Sequence, residues 1–118
     1  MQWSSWRPFP DPRKLGTLAA PFGPGVYQLR RRSTKELVLF GIGRNCAARM
    51  CSLLPEPLGA AGRNNAAKRA YMKRHLADVE YRTLATKTLE YAKRVENELK
   101  AKHRDLIESG KKGYRFPT

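Results

Sequence analysis

The stretch Pro24–Arg49, PGVYQLRRRSTKELVLFGIGRNCAAR, restricts the fold more than any other part of the chain. Gly25 to Arg30 alternates, with Tyr27 and Leu29 on one face and Val26 and Gln28 on the other, and so reads as a strand. Arg31-Arg32-Ser33-Thr34-Lys35 is polar and short, as a hairpin turn requires. Glu36 to Ile42 is apolar on both faces, Leu37 and Leu39 against Val38 and Phe40. A strand apolar on both faces is expected at the centre of a sheet. Gly41 and Gly43 end it and allow close backbone approach. Asn45 is placed to cap a short helix reaching about Leu53, and Pro55 and Pro57 stop it.

The rest of the chain adds one strand and two helices. Residues 55–63 form a loop, and Asn64 to Leu76 reads as a helix with Asn64 or Asn65 as its cap. Its Lys68, Arg69, Lys73 and Arg74 cannot all be buried, so one face is strongly basic. Asp78 to Ala85 alternates Val79, Tyr81, Thr83 and Ala85 against Asp78, Glu80, Arg82 and Leu84, which predicts a third strand. A long helix runs from about Thr86 to Ser109, with Gly110 as its stop, and the tail adds a short extended piece. Residues 1–23 hold four of the eight prolines and both tryptophans, Trp3 and Trp6. Proline blocks regular hydrogen bonding, so this segment reads as an extended arm whose aromatics pack onto a single domain spanning 24–118.

Charge narrows the partner. Lysine and arginine number 24 against 10 acidic residues, a formal charge of +14 on 118 residues. Such a surplus repels itself, and a polyanion, most often nucleic acid, is the usual reason to carry it. A structural RNA-binding role and a merely solvated surface carry the same signature. Cys46 and Cys51 sit five apart on the expected short helix and point to different sides, so they read as two reduced thiols. No Cys/His spacing suggests zinc. The N-terminus carries prolines where a signal peptide needs an apolar run, and Leu37–Ile42 is too short to span a bilayer. The expectation is a cytoplasmic protein with no membrane contact, or one exported without a signal.

The long helix holds an anomaly. Leu89, Ala92, Glu96, Leu99, His103 and Leu106 follow steps of 3, 4, 3, 4 and 3, which is one helical face. A carboxylate on a packing stripe costs free energy unless something pairs with it. Glu96 therefore needs an arginine, a metal or an edge open to water; a bridge to a lysine at the margin of the stripe satisfies it equally. His103 reads as a boundary histidine.

Gly25-Val26-Tyr27, thirteen intervening residues, Gly41-Ile42-Gly43, an arginine on the next helix and a glutamate on a late helix form an ordered set. This set resembles the GIY-YIG nuclease superfamily over about Gly25 to Leu99. The resemblance implies an α+β fold of the broad α/β kind: a small three-stranded antiparallel sheet flanked by helices. It implies a metal-dependent DNA endonuclease with one Mg²⁺ or Mn²⁺ ion. Tyr27 matches the first-motif tyrosine, a general base or water-positioner. Arg49 matches the helix arginine on the scissile phosphate, Arg44 follows the second motif, and Glu96 matches the metal-binding glutamate.

Three departures stand out. Gly41 occupies the place of the second-motif tyrosine, Arg49 follows Gly43 sooner than usual, and the C-terminal tail lacks the family's asparagine. Phosphodiester hydrolysis builds negative charge on phosphate oxygens, which a fixed arginine and a metal stabilise. Tyrosine titrates near 10 in water, so a tyrosine base needs cationic neighbours, for which Arg44, Arg49 and Lys35 are candidates. For Arg49 a plain salt bridge to Glu96 is the alternative. A second cluster, Arg63, Asn64, Asn65 and Lys68, forms an amide-rich helix start suited to backbone phosphates. Lys73, His75 and Arg82 extend the expected nucleic-acid surface, for DNA or RNA; capping and a solvated basic face are the bland alternative. A catalytically silent nucleic-acid-binding module on the same fold is the second functional reading.

Overall fold

The computed structural model describes residues 2–10, 18–51 and 66–116. The hairpin forms as expected: β2 is Gly25–Arg31 and β3 is Leu37–Gly43, joined by a turn in which Lys35 takes φ 62°. α1 (Cys46–Cys51) follows, then α2 (Ala66–His75), a 3₁₀ turn over Leu76–Asp78, β4 (Val79–Ala85) and α3 (Leu89–Glu108). β1, Arg7–Pro8, lies in the N-terminal arm.

The class is α+β, with an antiparallel sheet and helices, but the sheet has four strands in the order β1-β4-β2-β3 rather than three. The extra strand is the arm itself, pairing Arg7 with Tyr81 and Pro8 with Glu80. A strand containing proline has to lie at an edge, because it cannot donate to a neighbour on both sides. Ser4 N–H donates to the Thr83 carbonyl at 2.8 Å and Phe9 N–H to that of Val79 at 2.9 Å, and the Phe9 ring sinks into the core against Tyr81. The tryptophans dock as expected, on arginines: Arg30 lies 4.0 Å from the Trp6 ring, and Arg82 lies 4.6 Å from Trp3 and 4.8 Å from Trp6.

The inner strands are β4 and β2, and β3 lies at an edge. Gly25–Arg31 pairs with β3 on one side and β4 on the other. β3 is apolar on both faces because helices cover both faces, not because strands flank it. The C-terminal tail shields its outer edge, with Phe116 N–H donating to the Val38 carbonyl at 2.8 Å. The register also slips, pairing Leu29 with Leu39 but Arg30 with Leu37. Val38 is thus an extra, bulged residue, and it packs with Leu39 in one core instead of alternating away from it.

The two faces bury separate cores. Tyr27, Leu29, Leu39 and Tyr81 pack against Cys46 and Met50 of α1 and Tyr71 and Met72 of α2. Val26, Phe40 and Leu84 pack against Ala92, Val95 and Leu99 of α3. α3 starts at Leu89, three residues later than expected, because the Thr88 hydroxyl accepts from Tyr91 N–H at 3.1 Å and caps it there. Gly110, at φ 76°, ends it as expected. His103 is a boundary residue: its Nδ1 accepts from Tyr114 N–H at 2.9 Å and holds the tail. Both cysteines are free thiols. Among the described residues no helix is long and apolar enough to cross a membrane.

Candidate active site

The glycines of the hairpin bring α1 down onto one end of the sheet. Gly25 and Gly43 are paired across β2 and β3. A Cβ on Gly43 would stand 2.9 Å from Cβ of Arg49, so the missing side chain makes room for that arginine. The start of α1 is clamped. Cys46 and Ala47 N–H groups donate to the Gly23 and Pro21 carbonyls at 3.0 and 2.8 Å, and Asn45 Oδ1 accepts from Ala48 N–H at 3.1 Å. Arg49, one turn into this pinned helix, therefore has a fixed origin.

Tyr27 points from β2 toward α1 and is almost wholly buried. The Arg49 guanidinium lies close beside its hydroxyl. Burial pushes the phenol up to about 12; the Cys46 thiol and the Glu96 carboxylate push the same way, and Arg49 only partly opposes them. Desolvation wins over the neighbouring cation. Tyr27 is therefore a protonated phenol at neutral pH, one that holds Arg49 in place, and not a ready-made base. Lys35, proposed as one of its cationic neighbours, instead pairs with Glu80 at 3.6 Å in the turn at the other end of the hairpin.

The raised phenol has a stability consequence. The native state holds the Tyr27 proton up to about pH 12, whereas the unfolded chain releases it near 10. This contribution is fully present below pH 10 and is lost as pH rises from about 10 to 12. Urea unfolding at pH 8 and pH 11 is expected to show wild type losing on the order of 1–2 kcal/mol more than Tyr27→Phe. An equal loss in the two proteins would show that the phenol is not held protonated.

Two further groups converge here. Lys68, in the first turn of α2, is half-buried, and its ammonium is held below its ordinary value first by burial and then by the Arg49 charge. Glu96 lies on α3, across the opposite face, yet its charge reaches the Tyr27 phenol. Its Oε1 forms an ion pair with Lys100 Nζ at 3.6 Å, the lysine bridge that the stripe allowed. Such i,i+4 pairs are worth only about 0.3–0.5 kcal/mol, so the carboxylate is easily drawn to a stronger cation. Among the described residues no three of His, Cys, Asp and Glu cluster as an all-protein metal cage would need. One carboxylate with waters is, however, a sufficient donor set for Mg²⁺, and Glu96 fits that requirement.

The charges of Arg49 and Glu96 act on the Tyr27 phenol and that of Arg49 on the Lys68 ammonium, which links these four. Arg44 is exposed on the bend before α1, and Lys73 is exposed on α2. His75 lies at the opposite end of α2 from Lys68, close to Arg31, Arg74 and Arg115. Arg82 Nε donates to Gln28 Oε1 at 2.6 Å, and its guanidinium stacks with Trp3 and Trp6, so it secures the arm. Arg63, Asn64 and Asn65, with the loop 55–63 and its prolines, lie outside the described residues. The chain matches no known family model, no curated protein and no solved structure. Its chemistry has to be read from these side chains.

Proposed function

We propose that this protein is a divalent-metal-dependent endonuclease of the GIY-YIG type that hydrolyses phosphodiester bonds in DNA. The observation that carries this reading is the meeting of Arg49 and Lys68, close enough for the Arg49 charge to act on the lysine, beside a buried tyrosine and within reach of a carboxylate. Cations gathered this way repel unless an anion lies between them, and a phosphate supplies that anion. The +14 charge supports the same substrate class.

Arg49, fixed by the pinned helix and by Tyr27, grips the scissile phosphate and stabilises the charge that grows on its oxygens. Lys68 adds a second positive charge to the same group. Tyr27, protonated, holds Arg49 and donates or orients rather than removing a proton in the resting enzyme. Glu96 would hold a single Mg²⁺ or Mn²⁺, which would supply a Lewis acid for the phosphate and a charge that lowers the pKa of nearby groups.

A catalytically silent nucleic-acid-binding module is the second reading, favoured by the raised phenol and by glycine at position 41. Plasmid nicking separates the two. Wild type is expected to nick in Mg²⁺ or Mn²⁺ and not in EDTA, and Glu96→Ala is expected to lose at least about 100-fold, in the range for removal of one catalytic group. Salt-sensitive binding with no nicking in any divalent cation would establish the silent module instead.

A further inference from the structure

A second basic cluster lies along α2. A cleft of about 290 Å³ opens there, lined by Ala67, Ala70, Tyr71 and Arg74 of α2 and by Arg115 and Phe116 of the tail. We propose that this cleft is a phosphate seat distinct from the Tyr27–Arg49 centre, and that it takes a backbone phosphate of the same nucleic-acid strand. The proposal rests on the nucleic-acid reading above and adds to it where the strand runs.

Three observations carry it. First, the cleft is built of groups that bind phosphate. Arg74 and Arg115 line it, and small alanines keep it open. Arg115 lies 5.0 Å from the Tyr71 ring and 5.9 Å from the Phe116 ring. Stacking orients a guanidinium without using its N–H donors. Second, the wall is rigid. Arg115 and Phe116 N–H groups donate to the Leu37 and Val38 carbonyls at 3.1 and 2.8 Å, which ties the tail to β3. Third, Tyr71 is 8% exposed, and its hydroxyl is buried with no hydrogen-bond partner. It faces the Arg31 guanidinium without meeting hydrogen-bond geometry. The hydroxyl is held away from the cleft, and Tyr71 presents to it the ring over which Arg115 lies.

The charge balance agrees. Arg31, Arg74 and Arg115 all act on His75, whose imidazole stacks 4.6 Å from Tyr71 and is held below its ordinary value by burial and by those three charges. Asp78, the acid that opposes them, is already engaged by Arg31 and by Ser33. An incoming anion relieves this excess. Six residues of helix separate Lys68 from Arg74, about 9 Å at 1.5 Å per residue.

The test uses the full chain in EDTA, so that nothing is cut. An unphosphorylated single-stranded DNA oligomer and inorganic phosphate are titrated separately into ¹⁵N-labelled protein. Saturable shifts at Ala70, Arg74, Arg115 and Phe116 with the oligomer, alongside those at Gly43 and Arg49, are expected. Arg74→Gln combined with Arg115→Gln is expected to weaken DNA binding about tenfold and to lower the slope of log K against log salt by about one. Shifts confined to Gly43 and Arg49, with wild-type affinity in the double variant, would overturn the seat and leave the nuclease reading standing. Shifts with inorganic phosphate but none with the oligomer would overturn the strand-binding role in favour of a small-anion site. Absence of DNA binding at either site would overturn both.

Discussion

Arg49→Ala is expected to lower the rate of plasmid nicking at saturating DNA by about 100- to 1,000-fold, the loss seen when one preorganised donor to a developing oxyanion is removed. The size follows from how firmly this arginine is held. Its helix is anchored by the Pro21 and Gly23 carbonyls and by Asn45, its base lies over Gly43, and its head group lies beside Tyr27. A donor fixed before the substrate arrives needs no reorganisation during reaction, and that advantage is what the substitution deletes. Arg49→Lys keeps the charge but loses the planar fork, so it should restore only part of the rate. The same substitution leaves the buried Tyr27 hydroxyl without its arginine, at a cost of about 1–3 kcal/mol in folding stability. Single-turnover nicking and urea unfolding therefore read two separate consequences. Nicking within threefold of wild type would remove Arg49 from the mechanism, whatever happened to stability.

The elements that local periodicity controls were legible in the chain. β2, β3, β4 and α3 fall close to where alternation and the 3-4 stripe put them. What periodicity cannot report is adjacency. β3 reads as central because it is buried on both faces, but face burial comes from the helices above and below and does not report which strands flank its edges. The strand in the arm was hidden because Arg7–Pro8 has no alternation of its own and is a strand only through its pairing with β4. The site shows the same division. Tyr27, Arg49 and Glu96 stand out in the sequence, since motif spacing and a carboxylate on an apolar stripe are linear signals, whereas Lys68 reads only as part of a separate backbone-phosphate cluster. Arg82 stands out only through its place on the third strand, because its Trp3 and Trp6 partners lie more than seventy positions away along the chain. The Tyr71 and Arg115 cleft left no linear signal, because it exists only once the tail has folded back along β3.

Gly41→Ala is expected to destabilise the protein by about 1–3 kcal/mol, the usual cost of forcing atoms into a filled core. Glycine-to-alanine in a strand ordinarily stabilises, by limiting the unfolded chain. Gly41 has no positive φ that would forbid alanine. A loss would therefore report packing alone. The packing is explicit: Tyr27 and Gly41 are register partners, and a Cβ at 41 would stand 2.6 Å from Tyr27 Cζ and nearer still to its hydroxyl. The Tyr27 ring already occupies the space a side chain at 41 would need. This gives a physical reason for glycine where a GIY-YIG enzyme carries its second tyrosine: this hairpin seats one phenol there, and Gly41→Tyr could fold only by expelling Tyr27. A double-mutant cycle makes the point quantitative. Tyr27→Leu clears the space, so adding Gly41→Ala to it should cost about 1–2 kcal/mol less than adding it to wild type. Additive effects would show that ring and glycine do not compete. Because the displaced ring also lets go of Arg49, Gly41→Ala should slow nicking well below its melting temperature. A variant that is destabilised but nicks at the wild-type rate would separate the fit of Tyr27 from the chemistry and leave its ring a purely structural part.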